Sequence, residues 1–159
     1  MQYFTIHELC RSHRAAQLGI DNSPNYEQAQ NLTALITAVL DPARARWGRP
    51  ITVTSGFRCP ELNSRTPNAS RNSQHTKGEA ADIIASRTNR QANFDLGRLI
   101  ASLGNFDQLI FEDTGRTDLL PEWIHVSWKR TGINRHEIRK HVKGTGPIYP
   151  LIDKKLLNL

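Results

Sequence analysis

Ser73-Gln-His-Thr-Lys-Gly-Glu-Ala-Ala-Asp82 is the stretch around which this chain is organised. His75 and Asp82 stand seven residues apart. An imidazole nitrogen and a carboxylate oxygen both bind first-row metals, at about 2.0–2.2 Å for Zn²⁺. Gly78 lies between them, where a chain turning back on itself needs a residue that accepts positive φ. Ala80 and Ala81 are small enough for the backbone to come close to an ion. Ile83 and Ile84 then place Asp82 at the mouth of a buried strand.

A second stretch, Glu122-Trp-Ile-His-Val-Ser-Trp128, is a β-rich run with His125 in its middle. His75, Asp82 and His125 supply three protein ligands and leave a fourth tetrahedral position open. That is the arrangement of a catalytic zinc site rather than a closed structural one. A solitary His beside a Gly is ordinarily a polar loop residue; the coincidence of three such features points to metal.

The pattern Ser73-x-His75-x-x-Gly78-x-Ala80-x-Asp82, followed by Trp123-Ile124-His125-Val126-Ser127, resembles the zinc D-Ala-D-Ala carboxypeptidase family. That family includes VanX-type dipeptidases and phage L-alanyl-D-glutamate endopeptidases, and shares its fold with the Hedgehog amino-terminal domain. Ser55-Gly56-Phe57-Arg58 resembles the family's S-G-[FY]-R segment, and the resemblance covers about residues 25–130. It implies a Hedgehog/DD-peptidase-like α+β fold, Zn²⁺ on His75, Asp82 and His125, and hydrolysis of bonds involving D-amino acids in peptidoglycan stem peptides. It also implies that Arg58 faces the site and binds a substrate carbonyl or carboxylate, for which its planar fork is suited.

The general base has two candidates. Glu122 stands three before His125, which matches the E-x-x-H spacing of VanX-like members. On a regular strand that odd separation puts the two side chains on opposite faces. Pro121 allows an irregular start, so Glu122 is preferred; Glu112, at the end of the partner strand, is the rival. Some members place a His five before the last ligand, but here that residue is Leu120.

The 159 residues fit one domain, 1–159, with the motif-bearing core about 25–130 and a basic tail from 130 to 159. Hydrophobic residues are 38 %, enough for one modest core. The expected architecture is a small antiparallel sheet flanked by helices. Helices are expected over Tyr26–Leu40, broken by Asp41-Pro42, then through Trp47, and over Arg90–Leu103. Strands are expected at Ile51–Ser55, Ala80–Ala85 and Phe106–Glu112, the last in a hairpin with the His125 run. Pro60–Ser73 reads as a loop with a helical turn near Glu61–Ser64. Trp123 and Trp128 read as core, and His136 and His141 as surface residues.

No run is long and apolar enough for a transmembrane helix. The opening Met-Gln-Tyr-Phe-Thr-Ile-His-Glu-Leu-Cys has neither a basic start nor a long apolar stretch, so no signal peptide is expected. The expected location is cytoplasmic until release, or delivery to the wall by a phage. Cys10 and Cys59 are expected to stay reduced. The formal charge of +6 and pI near 9.7 suit anionic partners. Aromatics are not interleaved with the basic residues, so nucleic acid is not expected, and neither is a membrane. A monomer is expected. The competing reading is a zinc-containing wall-binding module of the same fold without chemistry; the intact ligand set favours the enzyme.

Overall fold

Leu32, Leu35, Ile36, Val39 and Leu40 recur along one side of the first long helical run, and all five are buried. The computed structural model describes residues 1–159. Short helices α1 (Ile6–Cys10) and α2 (His13–Leu18) lead into α3 (Tyr26–Leu35), a π turn over Ile36–Leu40 and α4 (Asp41–Trp47). The break expected at Asp41-Pro42 does not occur. A proline ring clashes with the carbonyl four residues back and brings no N–H. The wider π turn opens that spacing, and the Asp41 N–H donates to the Ile36 carbonyl.

Five strands follow: β1 (Thr52–Ser55), β2 (Ala80–Ile84), β3 (Gln108–Thr114), β4 (Trp123–Ser127) and β5 (Glu137–Val142). Their order in the sheet is β1-β2-β4-β3-β5. The first three pairings are antiparallel, including the β3–β4 hairpin expected from sequence. β5 adds in parallel to β3, so the sheet is mixed within the expected α+β class. Helix α5 spans Pro60–Ser64, and α6 spans Arg90–Leu103, from an Asn89 cap to a left-handed Gly104.

Ala81, Ile83, Leu109, Phe111, Ile124 and Val126 project from one face of the sheet into a single buried cluster with the helices. Each fully buried Leu, Ile or Phe contributes roughly 1.5–3 kcal/mol relative to exposure. Helix α6 lies very close to the sheet. A Cβ on Gly97 would stand 2.7 Å from the Phe111 ring and 2.9 Å from Ile124. Because side chains alternate along a strand, the remaining positions turn to the opposite face. There Asp82, Ile110, Glu112, Trp123 and His125 line an open cavity.

The residues read as a basic tail belong to the same body. After β5 the chain doubles back: the Lys140 N–H donates to Pro150 O and the Ile152 N–H to Ile138 O. Ile138, Ile152 and Leu157 join the core. No helix is long and apolar enough to cross a membrane.

Candidate metal centre

His75 sits in a 3₁₀ turn, Gln74–Lys77, which Ser73 caps by accepting the His75 backbone N–H. Gly78 closes the turn at φ 72°, and a Cβ there would lie 2.6 Å from the Gln28 carbonyl oxygen. The imidazole is 2 % exposed, and its Nδ1 stands 2.7 Å from the Gly56 carbonyl oxygen. That oxygen only accepts, so Nδ1 carries the hydrogen and Nε2 presents a lone pair. A metal-bound His is oriented in this same way.

Asp82 and His125 come from the middles of β2 and β4, where they pair directly. Asp82 Oδ1 is 3.0 Å from His125 Nδ1 and 3.3 Å from His75 Nε2, and the two nitrogens are 3.2 Å apart. Tetrahedral ligands at about 2.1 Å from one ion stand about 3.4 Å apart. The three atoms are therefore spaced to hold a small divalent cation. The donor chemistry agrees: two imidazole nitrogens and a carboxylate oxygen converge, and each is a group that ligates a divalent cation. Burial opposes ionisation of Asp82, but His75 and His125 outweigh it and hold the carboxyl well below its ordinary range. Burial pushes the His75 imidazolium down, which favours the neutral ligand form.

Arg58 follows β1 and lines the same cavity. Its backbone N–H donates to the His75 carbonyl at 3.3 Å. Its guanidinium lies 3.5 Å from Ser73 Oγ, and its Nε is buried with no partner, so donors remain for a ligand. Burial lowers its pKa, while Asp82 acts in the opposite direction.

The two candidate bases part company. Glu112 pairs across the hairpin with Trp123, which puts it diagonal to His125 on the cavity face. Its side chain is buried, and burial pushes its carboxyl up to about 7, against the pull of His125. Glu122 is not in the cavity wall. It stands 3.7 Å from Arg90 Nε and 3.9 Å from Lys143 Nζ, on the other side of the strand. β4 is regular from Trp123 onward, so the odd separation from His125 keeps the two side chains apart.

The cavity holds about 1090 Å³. Trp123, read as core, lines it, whereas Trp128 packs against the core as read. Part of the wall was not anticipated from sequence: Lys129, Arg135, Arg139, His141 and Tyr149 all reach it from beyond β4. Nothing local to those residues announces it: Arg139 and His141 arrive on β5 through its parallel pairing with β3, and Lys129, Arg135 and Tyr149 lie on the segments around it.

No curated protein matches the chain. Residues 2–127 match the family model described as Peptidase M15, a span that runs from before α1 to the end of β4 and contains all three converging candidate ligands. By sequence and by the helix-backed sheet that carries them, the chain belongs to the peptidase M15 family.

Proposed function

We propose that this chain is a zinc peptidase that hydrolyses bonds adjoining D-amino acids in peptidoglycan stem peptides, of the kind used in phage-driven wall lysis. One observation carries the reading. Three ligand atoms converge within 3.3 Å on the floor of a cavity that also holds a buried carboxylate and an arginine with free donors. A divalent ion held by His75, Asp82 and His125 supplies Lewis-acid chemistry for amide hydrolysis.

The chain's own residues do the rest. Glu112 takes the proton of the attacking water and returns it to the leaving nitrogen. Burial raises its carboxyl above the usual range, which suits a group that takes and returns a proton. Arg58 donates to the scissile carbonyl or a neighbouring carboxylate, where charge develops. Trp123 offers an apolar wall to the stem. The net positive charge of +6 favours approach to an anionic wall.

The test is digestion of purified peptidoglycan with added zinc, with and without chelator, followed by mass spectrometry of the fragments. Loss of a terminal D-residue identifies a carboxypeptidase and internal cuts an endopeptidase. Absence of any cut by protein carrying stoichiometric zinc would leave the wall-binding module instead.

A further inference from the structure

The ring of His141 is held at both nitrogens. Nε2 lies 2.9 Å from the Gly146 carbonyl oxygen, and Nδ1 lies 2.9 Å from Asp113 Oδ1. The ring is thus clasped between a carbonyl and a carboxylate, both of which accept. Its Nδ1 is also 3.4 Å from Glu112 Oε2. Tyr149 stacks on its face, with centroids 5.1 Å apart and planes at 28°.

Asp113 reaches this position because its backbone is left-handed, at φ 52°. The β3–β5 register shifts between Phe111 and Thr114. Consecutive residues of a regular strand face opposite sides, yet Glu112 and Asp113 both line the cavity. The irregularity thus places two carboxylates around one imidazole that arrives on β5. Asp82 and His125 lie across the cavity floor on β2 and β4, and Arg58 and Arg139 also line the cavity.

We propose that His141 is a positioning residue for Glu112: its Nδ1 edge holds the Glu112 carboxylate in the cavity, and Asp113 holds His141. The inference rests on the reading of Glu112 as the base. His141 lies outside residues 2–127, the span that matches the family model.

A double-mutant cycle tests it, with wild type, His141→Gln, Glu112→Gln and the double variant. Readouts are metal per chain, urea midpoint, and kcat and KM on soluble peptidoglycan fragments. His141→Gln should lower kcat by about 10- to 100-fold, with KM and metal content unchanged. In the Glu112→Gln background it should cost nothing further, because the group it acts through is gone. Losses that multiply in the double variant overturn the proposal, since a merely structural role acts on any background. Full activity of His141→Gln beside a dead Glu112→Gln also overturns it and leaves the base assignment standing. Full activity of Glu112→Gln removes the base assignment itself.

Metal above one ion per chain, lost with His141→Gln, would make the cluster a cation site and overturn the proposal. If His141→Gln does not fold, Asp113→Asn enters the same cycle, because it frees the ring without removing it; the same coupling to Glu112 is expected.

Discussion

Asp82 and His125 are direct partners across the β2–β4 ladder, with their Oδ1 and Nδ1 atoms 3.0 Å apart. Two of the three candidate ligands are thus aligned by backbone register alone. A slip of one residue in either strand would send that strand's ligand candidate to the helix-covered face. The third, His75, is aligned by a carbonyl of the segment that leaves β1.

His125→Ala should lose metal and activity together. At free metal about a hundred times Kd, binding adds about 2.7 kcal/mol to folding stability. Wild type should show that gain as a rise in Tm on metal addition, and the variant should not. Stoichiometric metal in His125→Ala would dismantle the ligand set.

Glu112→Gln should keep its metal and fold but lose activity by roughly 10²–10⁴-fold, the usual contribution of a placed proton-transfer group. Glu122→Gln removes the same charge from outside the cavity and should stay within a few-fold of wild type. Rates measured side by side on one peptidoglycan preparation decide between them; a dead Glu122→Gln with an active Glu112→Gln would reverse the assignment.

Gly56→Ala should damage the site from a distance. A Cβ there would stand 2.1 Å from the Leu9 carbonyl oxygen, so α1 or the Gly56 peptide must move. Overpacking of this kind costs about 1–3 kcal/mol. The Gly56 carbonyl is also what orients His75, so metal affinity should fall as well. Urea unfolding and metal titration of the variant check the two effects separately.

Asp107 should set part of the acid limit. It is buried, and burial opposes its ionisation. Bonds from Arg135, Gln74 and Lys129 prevail and hold its carboxyl well below the ordinary range. A carboxyl depressed on folding stabilises above its unfolded pKa, near about 4, and that stability is lost as pH falls toward the folded value. Asp107→Asn should therefore lower Tm at neutral pH and flatten its fall below about pH 4. An unchanged slope of Tm against pH would show that the pairing contributes nothing to acid stability.

Much of this was legible in sequence because it is local. The helix Arg90–Leu103 has its cap at Asn89 and its stop at Gly104, and its observed ends match the reading. His75, Asp82 and His125 could be brought together on paper because their residue types and order match the motif blocks of a known family. β5 could not be read: Glu-Ile-Arg-Lys-His-Val has one buried side chain, Ile138, and its pairing partner lies far back along the chain. The choice of base turned on face rather than spacing. Strand parity alone pointed away from Glu122, and Pro121 does not undo it.

The parallel pairing of β5 has a further consequence, for solubility. The segment matching the family ends at residue 127, before β5 begins. A protein trimmed to that boundary would leave Gln108–Phe111 with a row of unpaired amides and carbonyls beside Leu109 and Phe111. An exposed apolar edge of that kind is a template for intermolecular strand addition. The trimmed chain should keep every candidate metal ligand and still associate into aggregates that grow with protein concentration.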